Sequence, residues 1–508
     1  MDNDLKYDIH STDSIVEFSK KLKNKTLRQV CGAAIEEHGY KGKGNFGQIL
    51  EKFYFGYEPN SDAAPDFLEA GLELKSSPLK VLKNGEFRSK ERLVLNIINY
   101  LEVHKEEFDS SSFLQKNAHL LLVFYLHEKE TDLLDYVIKL VDGWKYPEED
   151  LKIIKRDWEF INKKIKEGRA HELSEGDTFY LGACTKGSTA LKSYRKQPFN
   201  EEKAKQRAYS LKQGYVNHII AKIAQNEKHV FGKLLDKRDQ QIGDNESKIK
   251  PLYLEREDLP SIASDFLEPY GKVLNNSEDI SDELSIEEVV VSKFEPFYGC
   301  TSIEIENDLS LDLNRKAKSY FANLSKAILG IKLGQKIEEF EKADIQVKTV
   351  RLKENLLPKE DISFPTFKYE ELILGDWEDA EFKSVLESKF FFIFYQYSGE
   401  ELVLRKATFW NMPYSDILEA KTVWDRMRLL ISTGKIVKEV TSKGIRKTHF
   451  PKKSEFRISH VRPHAQNKED VYPLPVKDVL TGLTEFTKHC FWLNASYVRD
   501  NIFKQHYY

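Results

Sequence analysis

Four cysteines in 508 residues, Cys31, Cys184, Cys300 and Cys490, stand far apart without a Cys-x-x-Cys pair. That spacing argues against a zinc ribbon and a disulfide framework, and reduced, packed thiols are the expectation. No apolar run approaches the roughly 18 residues that a membrane span needs. The first residues, "MDNDLKYDIHSTDS", lack the basic and apolar regions of a signal peptide. A soluble, cytoplasmic protein without a membrane partner is therefore expected. Positive charge is not in excess either: the formal net charge is −4, whereas phosphate neutralisation needs clustered Lys and Arg.

Distribution overrules that total. Between Lys186 and Lys212 there are eight basic residues (Lys186, Lys192, Arg195, Lys196, Lys203, Lys205, Arg207, Lys212) against Glu201 and Glu202. A second run, Lys435 to Lys453, holds seven basic residues against Glu439 alone. Each run by itself also suits a solvated face in a chain that is 31% charged.

The length exceeds what one core fills and predicts two to four domains. "SIVEFSKKLKN" and "NFGQILEKFYFG" carry apolar residues at helical spacing, whereas "AGLELKSS", "RLVLNIINY" and "HLLLVFYL" are short apolar runs of strand type. The fold class that follows is α/β, an α+β mixed sheet flanked by helices. Between about 225 and 285 the composition turns polar, acidic and broken by Pro, Gly and Asn. Across that stretch the chain repeats itself. "YSLKQGYVNHI" from Tyr209 shares its aromatic, Leu, Tyr and Val positions with "FWLNASYVRDN" from Phe491, and "DFLEAGLELKSS" from Asp66 pairs with "EFEKADIQVKTV" from Glu339. A tandem duplication is expected, with a first domain at 1–230, an acidic linker at 231–284 and a second domain at 285–508.

The stretch "PDFLEAGLELKSS" places Asp66 seven residues before Glu73 and Glu73 two before Lys75. Residues i and i+2 share one side of a strand, so Glu73 and Lys75 converge there. Two carboxylates beside a lysine suit Mg²⁺, which keeps waters and takes phosphate oxygens, and such a set can hydrolyse a phosphodiester. A surface ion pair on a wet edge strand gives the same pattern. The repeat separates the two readings. Copy two keeps the lysine as Lys348 but carries Gln346 for Glu73 and Glu339 for Asp66, so it should bind Mg²⁺ poorly.

With these motifs the chain resembles the PD-(D/E)xK nucleases of the MutH type, most closely the long GATC-specific type II restriction endonucleases of that group. "FGQILEKFYFG", "PDFLEAGLELKSSPLK", "SKERLVLNIINY" and "KAKQRAYSLKQGY" carry the resemblance, with "HVRPH" in the second half. It implies a restriction-endonuclease-like fold and Mg²⁺-dependent cleavage of double-stranded DNA at GATC, 5′ of the G. It also implies a cognate DNA methyltransferase and action as a monomer or a DNA-induced dimer. By position it makes Asp66 and Glu73 metal ligands, Lys75 the catalytic lysine, Glu51 an acid beside the site and Lys116 a further active-site lysine. Where the family has Arg-Pro-Lys this chain has Cys184-Thr185-Lys186, so only Lys186 carries over, and Ser210 stands where MutH has a tyrosine. Arg207 and Lys212, from the basic run, join them as expected DNA contacts. Copy two retains Arg462 and Pro463 in "ISHVRPHAQN"; Arg can donate bidentately to guanine, so a non-cutting, allosteric DNA-binding domain is expected there. His460 and His464 flank Pro463, which breaks the helix that would align them on zinc. A MutH-like nickase and a non-catalytic, site-bridging DNA-binding protein are the alternatives.

Overall fold

The computed structural model describes residues 6–37, 46–59, 64–83, 85–186, 193–239, 270–274 and 284–505. The expected acidic linker therefore lies largely outside the described residues. Contacts divide the chain into two units. The first is Met1–His171, Thr178–Gly271 and Gly334–Asp344; the second is Glu172–Asp177, Lys272–Leu333 and Ile345–Tyr508.

In the first unit, strands β1 (Glu73–Val81), β2 (Phe87–Ser89), β3 (Leu93–Ile97), β4 (His119–Leu126) and β5 (Ile138–Lys145) precede β6 (Leu181–Thr185), β7 (Tyr194–Gln197), β8 (Asn200–Lys205) and β9 (Arg207–Leu211). One mixed sheet has the order β2-β1-β4-β5, a second has β3-β9-β6, and β7-β8 is a separate hairpin. Leu120 to Phe124 of β4 are all fully buried, which is why this strand is a continuous apolar run with no polar alternation. Its parallel pairing with β1 sets Glu73 opposite Leu120 and Lys75 opposite Leu122. The helix Glu148–Lys166 buries Ile153, Ile154, Trp158, Ile161 and Ile165 along one stripe, with acids in its first turn and lysines in its last, as the helix dipole favours. Its buried Asp157 accepts hydrogen bonds from the backbone N–H groups of Phe179, Tyr180 and Leu181 at 2.8, 2.6 and 2.9 Å, fixing the entry to β6.

The helix expected over "NFGQILEKFYFG" forms, with a difference. After Phe46–Ile49 it widens into a π-helix, Leu50–Phe55, closed by Gly56 in the left-handed region at φ 83°. Such widened turns are rare and recur at functional sites.

The second unit contains β10 (Gln346–Leu352), β11 (Ile362–Thr366), β12 (Phe390–Ser398), β13 (Glu401–Trp410), β14 (Val437–Val440), β15 (Arg446–Thr448), β16 (Ser459–Pro463), β17 (Val471–Pro473), β18 (Glu485–Thr487) and β19 (His489–Leu493). Its sheets follow the pattern of the first. The order β10-β12-β13 matches β1-β4-β5, and β11-β19-β16 matches β3-β9-β6. Register agrees as well: Leu181 and Leu93 both pair with Leu211, as Ser459 and Ile362 both pair with Leu493. A 19-residue helix follows the first sheet in each unit, Glu148–Lys166 after Pro147 and Tyr414–Ser432 after Pro413. The third residue of each is a buried aspartate that accepts from a buried tyrosine: Tyr215 to Asp150 at 2.9 Å and Tyr497 to Asp416 at 2.6 Å. Thus the protein is a mixed α/β molecule whose units share strand order and register. The hairpin β14-β15 is an addition of the second, whereas the pair β17-β18 stands between β16 and β19 as β7-β8 stands between β6 and β9.

Candidate active site

A tight turn brings together the residues that the sequence separates. Phe67 and Leu72 exchange backbone hydrogen bonds at 2.9 and 3.2 Å around the short helical turn Leu68–Ala70, and Gly71 closes it at φ 61°. Glycine takes that conformation without a Cβ penalty. The turn folds Asp66 back onto the start of β1. The Asp66 N–H donates to Glu73 Oε2 at 3.0 Å, and the Leu74 N–H donates to Asp66 Oδ2 at 3.0 Å.

Lys75 then reaches along the face it shares with Glu73, its Nζ 2.6 Å from Glu73 Oε1. Lys116, on the helix Ser112–Asn117, donates from Nζ to the Ala64 carbonyl at 2.9 Å and lies 3.6 Å from the same Glu73 oxygen. Glu51, Asp66, Glu73, Lys75 and Lys116 line one cleft of about 700 Å³ with Gln48, Asn96 and Tyr209. All five expected catalytic side chains are therefore brought together. At 2% exposure Glu73 is no edge-strand surface residue, which removes the wet ion-pair reading.

Crowding of like charges marks the cleft. The Asp66 carboxyl is pushed up to about 7, chiefly by burial, then by Glu73 and Glu51, with Lys75 and the Leu74 N–H opposing. Burial and Glu73 raise Glu51 as well, against Lys75 and Lys116. Tyr57, two residues past the π-helix, was missed by sequence reasoning. Its hydroxyl is buried without a hydrogen-bond partner among the described residues, and Asp66, Glu51 and Glu73 add to burial in raising its pKa. The signal available was its place directly after Gly56, which turns the chain back toward the acids.

No group of three or more His, Cys, Asp and Glu among the described residues is arranged to hold a metal ion by itself. The donor set nevertheless fits Mg²⁺. That ion is ordinarily held by one or two carboxylates and completed by water and phosphate oxygens, rather than by an all-protein cage. Asp66 and Glu73 supply the two carboxylates, and their mutual repulsion is what a cation would relieve.

The expected DNA contacts separate into two groups. Lys186 is exposed just past the end of β6. Arg207, Ser210 and Lys212 are instead buried, at 5%, 0% and 6% exposure. Arg207 donates to the Ala183 carbonyl at 2.6 Å and Lys212 to the Thr178 carbonyl at 2.5 Å. This corrects the expectation that these three face DNA: β9 is the central strand of its sheet and is buried on both faces, and Lys212 directly follows it.

In the second unit Arg462 pairs with Cys490 as Cys184 pairs with Ala208, so Arg462 and Pro463 do occupy the places of Cys184 and Thr185. The Arg462 guanidinium lies 3.8 Å from the Trp492 ring centroid and 3.5 Å from Asp361 Oδ2. It lines a groove of about 750 Å³ with Pro463, Lys438, Arg446, Lys447 and Lys452, which brings the second basic run to the same place. His460 is buried, with Nδ1 2.6 Å from Asn494 Oδ1, whereas His464 is exposed and meets the Trp492 ring edge-on.

The counterpart of β1 in the second unit, β10, carries no acid. Gln346 and Lys348 pair with Phe390 and Phe392 as Glu73 and Lys75 pair with Leu120 and Leu122. Ser325 stands five residues before Gly330, as Glu51 stands five before Gly56, and Leu386 stands four before Phe390, as Lys116 stands four before Leu120. Burial alone lowers the Lys348 pKa. Glu339, the sequence counterpart of Asp66, groups by its contacts with the first unit.

The chain is similar to known nucleases. The family described as DNA mismatch repair enzyme MutH matches residues 55–157, a span that contains Asp66, Glu73, Lys75 and Lys116. MutH of Vibrio campbellii is 24% identical over 198 residues, 39% of this chain and 85% of that protein. MutH of Shewanella woodyi is 25% identical over 188 residues, covering 36% and 79%. The type II restriction enzyme Sau3AI of Staphylococcus aureus is 35% identical over 500 residues, covering 91% of this chain and 93% of that enzyme. With near end-to-end coverage and a cleft of nuclease chemistry in one unit, the chain belongs to the type II restriction endonucleases of the MutH and Sau type and is a site-specific deoxyribonuclease.

Proposed function

We propose that the first unit hydrolyses both strands of duplex DNA at GATC, 5′ of the G, with Mg²⁺, and that the second unit binds DNA without cutting and acts as an allosteric effector site. The observation that carries the reading is the convergence of Asp66, Glu73 and Lys75 at the head of β1, set against Gln346 and Lys348 at the head of β10. GATC comes from the family resemblance in the sequence.

Asp66 and Glu73 would hold Mg²⁺, which when bound offsets charge on the scissile phosphate and lowers the pKa of an attacking water. Lys75, fixed by Glu73, is placed to orient that water or to meet charge developing on the phosphate. Lys116 is held by the Ala64 carbonyl and presents a second cation to the same carboxylate. Glu51 enters from the π-helix and adds negative charge beside the two carboxylates; burial and Glu73 raise its pKa, a crowding that a bound cation would relieve. In the second unit Arg462, stacked on Trp492, is presented as a planar donor pair of the kind that reads guanine. A cognate methyltransferase would protect host sites.

Purified protein with Mg²⁺ and unmethylated plasmid should give the discrete fragments of complete GATC cutting. Nicked circles as the final product would replace this reading with that of a nickase. DNA binding that survives chelation, with no Mg²⁺-dependent product, would replace it with that of a non-catalytic binder.

A further inference from the structure

The hairpin β7-β8 holds four of the eight basic residues of the first basic run, Arg195, Lys196, Lys203 and Lys205, and its tip is unusual. Gln197 pairs with Asn200, leaving Pro198 and Phe199 as the two-residue loop, and Phe199 has φ 60°. Proline followed by a residue of positive φ is the type II turn pattern, whose second position glycine normally fills. Here it holds a phenylalanine that is 76% exposed, more than any other large hydrophobic residue among those described. A bulky side chain kept where glycine would relieve strain, with nothing gained by burial, points to a task.

The tip is held rigidly against the cleft wall. Asn200 Nδ2 donates to the Gly168 carbonyl at 2.8 Å, and a Cβ on Gly168 would stand 2.9 Å from the Phe199 carbonyl oxygen. His104 meets the Phe199 ring edge-on at 5.5 Å. Tyr100 donates to the Lys205 carbonyl at 2.5 Å, and the same short helix, Tyr100–Val103, contributes Glu102 and Val103 to the catalytic cleft. Exposed Ile97 and Leu101 continue the apolar rim toward it. Tyr194, Lys196 and Lys203 are exposed along the hairpin, with Lys205 Nζ 6.0 Å from the Tyr194 ring. Glu201 and Glu202 are also exposed on β8, with Glu202 turned to His171 at 3.4 Å, so the cations nearest the tip are Lys196 and Lys203. An aromatic tip with these beside it matches duplex DNA, which offers phosphates to the strands and a base stack to the ring.

We propose that Phe199 is an aromatic wedge that enters the base stack of the duplex bound at the catalytic cleft, while Tyr194, Lys196 and Lys203 track the adjoining phosphates. This rests on the DNA-cutting reading above.

The test uses the full chain in chelator and a GATC duplex carrying 2-aminopurine beside the site. Wild type should raise the probe's fluorescence on binding, as unstacking does. Phe199→Trp should keep the rise. Phe199→Gly should lose most of it and bind about tenfold more weakly, the scale of one base–aromatic stack, while melting no lower than wild type because the turn is relieved. The double change Lys196→Ala with Lys203→Ala should reduce the salt slope of binding by about two. Equal fluorescence from wild type and Phe199→Gly, or binding by wild type with no rise, overturns the wedge and leaves the cutting reading intact. No binding of the duplex by wild type overturns both.

Discussion

The two units lay the same strands in the same register, yet one gathers Glu51, Asp66 and Glu73 around the head of β1 and the other carries no acid on the matching strand β10. At corresponding places Glu73 faces Gln346, Glu51 faces Ser325 and Lys116 faces Leu386, while Lys75 is matched by Lys348. The cleft itself is also refilled. By register, Leu95, Ile98 and Tyr209 of the first unit correspond to Phe364, Phe367 and Phe491. Those phenylalanines line a remnant of about 200 Å³, against about 700 Å³ in the first unit, and Phe382 stacks on Phe491 at 3.9 Å. Loss of the acids removes charges that are costly to hold together, and aromatics then occupy the space and contribute burial. The two units thus share the frame and differ in the carboxylates, which is the difference the proposed chemistry requires.

The largest effect expected is from Glu73→Ala, which should reduce cleavage by about a thousandfold or more, the scale of losing a principal element of charge stabilisation. DNA binding in chelator should persist. The mirror change, Gln346→Glu, should not make the second unit cut, because Ser325 and Leu386 leave it without the other partners; a second unit that cuts after this one change would undo the comparison. Next comes Lys116→Leu, which copies the second unit into the first. It should lower kcat by roughly 10- to 100-fold with little change in KM, as for a group that acts on charge in the transition state. A change in KM alone would make Lys116 a binding residue.

Asp66→Asn sharpens the contrast through stability. The folded carboxyl has a pKa of about 7 against an ordinary 3.8, so the stability linked to its proton is complete below about 4 and is lost as pH rises through 7. Removing the ionisable group should therefore stabilise the metal-free protein at pH 8 by on the order of 2 kcal/mol and by less than about half of that at pH 5. Thermal melts in chelator at the two pH values measure it, and equal gains would show that Asp66 is not held against its charge. The smallest effect is expected from Arg462→Ala, which should weaken DNA binding by the second unit about tenfold, the discrimination scale of one bidentate base contact. Binding to a catalytically dead Glu73→Ala chain, with and without the change, reads this directly.

Much of this was legible in the sequence where the signal is local. Glu73 and Lys75 lie two apart on a strand, so their shared face follows from the period of the pleat alone. The buried run of β4, the helix Thr12–Lys20 and the echo between residues 66–77 and 339–350 are likewise patterns of neighbouring residues. The basic run from Lys186 to Lys212 shows where such reading ends. Charge density is visible in the chain, but whether a lysine meets water depends on what covers its strand. The tertiary structure turned Arg207 and Lys212 inward onto the carbonyls of Ala183 and Thr178, and left Lys196, Phe199 and Lys203 on an open hairpin. It also placed Tyr57 beside the acids, through a π-turn and a left-handed Gly56 that no hydrophobic period announces. Sequence determined which residues neighbour one another along the chain. Only the tertiary structure decided which of them share a cleft and which are sealed from solvent, since burial is set by pairing between distant strands.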